Sequence, residues 1–409
     1  MSALAAQQAA EAAARNAYGR LLALLAARTR DIAASEDALS EAFVAALRTW
    51  PVQGVPDRPE AWLMTAAKNR LSNDARHQAI VTSVTNDLAL LSDEVAPDLP
   101  SIPDDRLRLL FVCAHPAIAE AVRAPLMLQT VLGLDAARIG TLFMVPASTM
   151  GQRLSRAKTK IRDAGLRFEV PEPDEWAGRL ADVLDAVYAA YSSAWEAPPE
   201  GAVTPPPLAA EAIDLARLLV LLLPQEPEPR GLLSLMLHSE ARRPARREAQ
   251  GRYVPLDQQD PRLWQRALIL EAEGLLTQGA QSGRFGRYLC EAAIQSVHAQ
   301  RALTGRANHE ALLTLYRLLL AHAPSVGAQV AYAAALLAAG QPDASWQTLQ
   351  AVPEAQAAAY QPYWVTRHQV LTAQGDAVGA LAALARALDL TEDAATRAYL
   401  QANGAARSV

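Results

Sequence analysis

The chain has 409 residues, a mass of 43.8 kDa and a formal net charge of −5. Apolar residues make up 51%, enough to build packed cores in two or three domains, and the 5% aromatic content with abundant Ala and Leu favours packed helices over a β-sandwich. Two cysteines, Cys113 and Cys290, far apart and without CxxC spacing, exclude a disulfide scaffold and a four-thiolate metal site, and fit a reducing cytoplasm. The start, MSALAAQQAAEAAARNAYGR, lacks the basic stretch and apolar core of a secretory signal. The longest apolar run, 215–223, is interrupted by Arg217 and ends at Pro224, so no membrane span is expected. The expected fold class is all-α.

The first helical block covers about 5–77. SEDALSEAFVAALRTW opens at Ser35, expected as the N-cap, with Glu36 and Asp37 in the first turn. Ala38, Ala42 or Phe43, and Ala46 or Leu47 recur at helical spacing, and Pro51 is expected to end the helix. After the turn-rich PVQGVPDRP, a further helix is expected over PEAWLMTAAKNRLSNDARH, with Pro59 in its first turn. Trp62 reads as core. Residues 79–105 read as a solvated linker, held in water by Asp87, Asp93, Glu94, Asp98, Asp104 and Asp105.

The next block contains LDAARIGTLFMVPASTMGQRLSRAKTKIRDAG. A helix is expected over 135–143, a turn over 144–147, and a second helix from Ser148. Met150, Leu154, Ala157 and Ile161 mark the core side of that second helix. Thr149, Gln152, Arg153, Arg156 and Lys160 face away. Charge sharpens the picture. Residues 1–168 carry 19 basic and 17 acidic side chains, and the remainder carries 19 and 26. Within 148–168, six cations (Arg153, Arg156, Lys158, Lys160, Arg162, Arg167) meet one acid, Asp163. A helix, a short turn and a basic second helix suit a major groove; an ordinary helical hairpin with a solvated charged face is the plainer alternative.

From 171 onward the chain is acidic and helical, broken by the proline-rich stretch at 197–207. Beyond about 308, LLAAGQPDASWQTL and LTAQGDAVGALAAL align Gly340 with Gly375, Leu336 with Leu371 and Leu349 with Leu384. The 35-residue offset lies close to the 34-residue tetratricopeptide (TPR) period. An enzymatic reading finds no support. The seven histidines make no HExxH, since His309-Glu310 is followed by Leu313, and neither GxSxG nor GxxxxGK[ST] occurs. No catalytic residue, metal or cofactor is expected.

SEDALSEAFVAALRTW followed by PEAWLMTAAKNRLSNDARH resembles region 2 of a sigma-70 family factor of the extracytoplasmic-function (ECF) type, and the 134–165 run resembles its region 4. IPDDRLRLLFVCAHPAI and LMLHSEARRPAR are similar to ECF factors with a long C-terminal TPR-like extension. The resemblance implies region 2 at 1–78, region 4 at 106–170 and the extension at 171–409, with TPR-like repeats at about 308–400. It implies binding of core RNA polymerase, through its clamp helices and β-flap, and of promoter DNA, both double-stranded and melted. Asp37 and Glu41 then fall on the clamp-docking helix. Asn69, Arg70, Asn73 and Arg76 fall on the −10-reading helix. Ser148, Thr149, Gln152, Arg153 and Arg156 fall on the −35-reading helix, with Lys160 beside them as a phosphate contact. Independently of the resemblance, Arg and Gln suit paired contacts to base edges, Asn suits an unstacked base, and Asp37 is equally open to a capping role.

The sequence also departs from its relatives. Cys113-Ala114 stands where relatives often have two adjacent cysteines, Ser192-Ser193-Ala194 replaces an Asn-Glu-Gly step, and QQDP at 258–261 replaces a QDR pattern. The segment around Cys113 is read as helix packing. His238, Arg242, Arg243 and Arg246 keep the family look and are read as partners of local acids. A regulatory protein partner is expected for the extension. The rival reading is a TPR-type interaction scaffold whose N-terminal half no longer binds promoter DNA.

Overall fold

A computed structural model of the chain describes residues 3–29, 31–81, 104–143, 145–163, 173–196 and 207–406. Helices make up its regular structure, with no β-strand among the described residues, as an all-α chain requires. The chain divides into two compact units, 1–193 and 194–409.

In the first unit, α1 (Ala3–Thr29), α2 (Ile32–Gln53) and α3 (Pro59–Val81) form a bundle. Ala6, Ala10, Ala13, Ala17 and Leu21 are spaced by three or four residues, so they line one face of α1. Their small side chains let α1 approach Ala38, Leu39, Ala42 and Ala46 of α2 and Leu63 and Ala67 of α3. Trp50 is buried and meets the half-buried Trp62 edge to face, with ring centroids 5.6 Å apart.

The boundaries of α2 differ from expectation at both ends. Asp31, not Ser35, is the N-cap: its carboxylate accepts the Ala34 N–H at 3.0 Å. Ser35 lies buried within the helix and donates to the Asp31 carbonyl at 2.7 Å. An aspartate in extended backbone, four residues upstream, takes the capping position first. Pro51 does not end the helix either. It sits in the last turn, where its missing N–H costs the helix one bond, to the carbonyl four residues upstream, and the chain leaves the helix at Gly54, whose φ of +93° suits glycine.

The unit continues with α4 (Asp105–Cys113), α5 (Glu120–Thr130), α6 (Ala136–Leu142), α7 (Ala147–Asp163) and most of α8 (Pro173–Glu196), whose last three residues belong to the second unit. Residues 82–103 of the expected linker lie outside the described residues, as do 197–206 of the proline-rich stretch. Asp104 caps α4 and Asp135 caps α6, the latter accepting the Ala137 and Arg138 N–H groups at 2.9 and 2.8 Å. Between α6 and α7 the Val145 N–H bonds back to the Gly140 carbonyl at 2.8 Å. A Cβ on Gly140 would lie 2.5 Å from the Val145 oxygen, so this turn closes only around glycine. Cys113 is fully buried, its Sγ 3.6 Å from Thr130 Oγ1, which agrees with helix packing. Trp176 of α8 packs against Phe111, Arg179 donates to the Phe111 carbonyl at 3.2 Å, and Arg123 pairs with Asp182 at 2.8 Å.

The second unit is built on α10 (Pro227–Ala241), packed by α9 (Pro207–Leu222), α11 (Arg266–Ala280) and α12 (Arg287–Ala299). Gly231 of α10 lets the backbone of α12 approach: a Cβ there would stand 2.5 Å from the Leu289 nitrogen. After the short α13 (Arg301–Thr304) come α14 (His309–His322), α15 (Val326–Ala338), α16 (Pro342–Gln350), α17 (Glu354–Ala357), α18 (Gln361–Gln374), α19 (Ala377–Asp389) and α20 (Ala394–Ala406). Two hairpins, α15–α16 and α18–α19, turn at Gly340 and Gly375, with φ of +75° and +82°. Leu336 and Leu349 in one, and Leu371 and Leu384 in the other, are all buried.

Candidate nucleic-acid and polymerase interface

The exposed face of α7 follows from how the helix is held. Met150, Leu154 and Ile161 are buried and fix the rotation of the helix. Ser148, Gln152, Arg153, Arg156 and Lys160 are consequently exposed, and Thr149 is half-buried. Residues 149, 152, 153, 156 and 160 share one side at steps of three and four. The exposed stripe carries three cations and no carboxylate, and the positive end of the helix dipole lies at the first turn of α7. The Lys160 Nζ reaches the Ala117 carbonyl at 3.3 Å, across a groove of about 220 Å³ lined by Ala117, Ile118, Val122 and Ile161. The side chain of Arg162 and all of Arg167 lie outside the described residues.

On α3, the burial of Leu63 and Ala67 turns Lys68, Asn69, Arg70 and Asn73 to the surface. The side chain of Arg76 lies outside the described residues. Asp37 and Glu41 stand exposed one turn apart on α2, and Asp37 plays no part in capping it. Arg70, expected from sequence to read DNA, pairs through Nε with the Glu41 carboxylate at 2.6 Å, the two side chains being 48% and 53% exposed. So exposed a pair exchanges readily with solvent or another partner.

Two residues outside the sequence expectations matter here. Lys158, on the flank of α7, pairs with Glu36 of α2 at 2.5 Å, and both side chains are more than four-fifths buried. Nothing in the sequence joins residues 122 positions apart, so only the fold brings them together. Around the pair is a cleft of about 280 Å³, bordered by Asp37, Gln129, Ser155 and Thr159. Burial raises the Tyr18 hydroxyl well above its usual range, with the Glu36 and Asp37 charges adding to the effect.

In the second unit, Arg243 of the basic segment pairs with a local acid, while Arg246 donates to the Trp195 carbonyl at 2.9 Å. Arg243 makes a two-pronged contact with Glu240 at 2.6 and 2.5 Å, both side chains 3% exposed. Arg243 and Arg246 also lie over the Trp195 ring, at 4.8 and 4.1 Å from its centroid. His238 is buried 3.6 Å from Glu273, and burial, aided by the Arg242 charge, pushes it down to about 3. Among the described residues no group of His, Cys, Asp and Glu is arranged to hold a metal ion, and no helix is long and apolar enough to cross a membrane.

The first unit thus carries a three-helix bundle with exposed polar and cationic residues on α3 and, further along, a short helix and turn that lead into the basic α7. The chain carries a segment similar to the sigma-70 family: Sigma-70 region 2 matches residues 14–80, which span most of α1 and nearly all of α3. Members of that family are non-enzymatic transcription initiation factors that act with core RNA polymerase on promoter DNA. Residues 179–281 match a family of unknown function (DUF6596). An uncharacterized protein of Rhizobium meliloti (strain 1021) is 35% identical over 382 residues, covering 91% of this chain and 89% of its own length. No solved structure matches the chain.

Proposed function

We propose that the protein is an ECF-type sigma factor that binds core RNA polymerase and directs it to promoters, under the control of its C-terminal extension. In this reading Asp37 and Glu41 dock on the polymerase clamp helices. Asn69, Arg70, Asn73 and Arg76 read the melted −10 element. Ser148, Thr149, Gln152, Arg153 and Arg156 read the −35 element in the major groove, while Lys160 neutralises phosphate. The observation that carries the reading is the acid-free cationic stripe on α7, set in a helix-turn-helix on the same chain as a sigma-70 region 2. Arginine and glutamine make paired bonds to base edges, and the lysine charge supports binding without choosing sequence.

The extension is read as a TPR-like protein-binding domain acting in the cytoplasm. The equivalent glycine turns and buried leucines of α15–α16 and α18–α19 support that reading. Its excess of acids argues against added DNA affinity, because it repels phosphate. In vitro transcription with core polymerase tests the proposal. The full chain should give specific initiation from its own upstream region. Failure both to bind core and to initiate at any candidate promoter would falsify the assignment.

A further inference from the structure

We infer that the second unit carries an anion-binding site for a phosphoryl group, formed by Arg242, His298, Arg301 and His309 around the Trp264 indole. All of these residues belong to the second unit, and the site stands apart from the sigma-factor reading.

Four elements bring the cluster together. Arg242 caps the end of α10, His298 lies in the last turn of α12, Arg301 opens α13 and His309 opens α14. The Arg301 guanidinium donates to the Asp257 and Gln259 carbonyls at 2.5 and 3.0 Å and lies over the Trp264 ring, 5.5 Å from its centroid. Those bonds hold the side chain in place without neutralising its charge, because a carbonyl carries none. Burial pushes His298 down to about 4, aided by Arg242, Arg301 and His309, and no carboxylate is among the groups acting on it. Nearby acids are engaged elsewhere. Glu240 holds Arg243, Asp260 pairs with Arg262 at 2.7 Å, and Glu273 accepts the Ser296 hydroxyl at 2.6 Å. Asp257 and Glu310 stand exposed.

Two further features call for a ligand that accepts hydrogen bonds. Trp264 is 6% exposed, and its Nε1–H meets no acceptor among the described residues. An indole N–H can only donate, and burying it without an acceptor is costly. The Nδ1 of His309 is likewise buried without a partner among the described residues. His309 is also the first residue of a 14-residue helix, where backbone N–H groups and the positive end of the dipole favour an anion. His298, Arg301 and His309 are half-buried, so a solute can reach the cluster, with Trp264 buried beneath Arg301. Two guanidinium groups, two imidazoles and an indole offer more donors than a carboxylate has oxygens. A phosphoryl group presents more acceptor oxygens and a greater charge near neutral pH.

The test uses the full chain, isotopically labelled on its seven histidines. The ring signals are followed by NMR during titration with inorganic phosphate, methyl phosphate, acetate and, at equal ionic strength, sodium chloride. His298→Gln identifies the His298 signal. Phosphate should shift that signal saturably, with half-saturation on the order of 1 mM. It should also raise the His298 midpoint above about 4, since a bound anion favours the imidazolium. Tighter binding of inorganic phosphate assigns the site to the free ion, and tighter binding of methyl phosphate assigns it to a phosphorylated small molecule; either supports the site. Arg301→Gln removes a charge, and Trp264→Phe keeps a ring beneath Arg301 while removing the N–H. Each should raise the half-saturating concentration about tenfold. The signals of His322 and His368 report whether the unit stays folded, and Trp264→Phe decides if Arg301→Gln disturbs them. A His298 signal that moves no more with phosphate than with sodium chloride overturns the inference, as does wild-type binding by Trp264→Phe together with a folded Arg301→Gln. Acetate that binds as tightly as phosphate overturns the phosphoryl assignment.

Discussion

Arg153 and Lys160 lie on the same exposed side of α7, seven residues apart, and their side chains offer different chemistry to DNA. A guanidinium holds two fixed donors toward one base edge, whereas an ammonium is a compact charge without a preferred base. Arg153→Ala should relax preference at one or two base pairs, at a cost of about 1–3 kcal/mol in discrimination. Lys160→Ala should weaken binding evenly across sequences and reduce its salt dependence. Binding isotherms on a set of single-base −35 promoter variants at several salt concentrations separate the two. Equal effects from both would assign Arg153 to phosphate contact. Titration gives a second residue-scale test. His238 titrates near 6.5 when unfolded and is pushed down to about 3 by burial, so between those values the unfolded chain holds more protons. Its contribution to stability is therefore full above about 6.5 and is lost progressively as pH falls toward 3. His298, pushed down to about 4 by burial, has the same sign. Urea unfolding of the second unit at pH 7 and pH 5 should show a loss, and His238→Gln should flatten the slope by up to about one proton. A pH-independent midpoint in wild type contradicts this.

At the scale of the element, what the sequence makes visible depends on range. The core stripe of α7 is legible because Met150, Leu154 and Ile161 repeat at helical spacing and most of the residues around them are polar. The start of α2 is not, because two good caps, Asp31 and Ser35, lie four residues apart, and local chemistry alone does not rank them. Tertiary packing decides: it buries Ser35 beside Thr29, with the hydroxyls 2.8 Å apart, and leaves Asp31 in extended backbone. Asp31→Ala should therefore cost about 1 kcal/mol in unfolding free energy through loss of the cap. The turn from α6 to α7 offers a sharper test. Gly140→Ala places a methyl against the Val145 carbonyl, so it should lower the thermal midpoint and weaken promoter binding together. A variant as stable as wild type would show that the turn can open without moving α7. The Glu36–Lys158 and Glu41–Arg70 pairs are invisible in sequence for a different reason: ion pairs across long separations have no periodicity.

For the whole molecule, charge and architecture divide unevenly. The cationic helix α7 belongs to the first unit, and the portion beyond residue 168 carries 26 acids against 19 bases. A chain truncated after Glu196 keeps α1 to α8 and loses the acidic helical array. Under the proposed regulation its promoter output should differ from that of the full chain at equal concentration of core polymerase. Equal output would assign the extension a role outside transcription control. The measurement that bears most directly on the central claim is run-off transcription with purified core polymerase and a template carrying this protein's own upstream region. The account predicts a discrete transcript that requires the protein, loses intensity with Arg153→Ala, and responds to base changes at the −35 position rather than to salt alone. Core polymerase giving the same transcripts with and without the chain, while the chain fails to bind core, would contradict it.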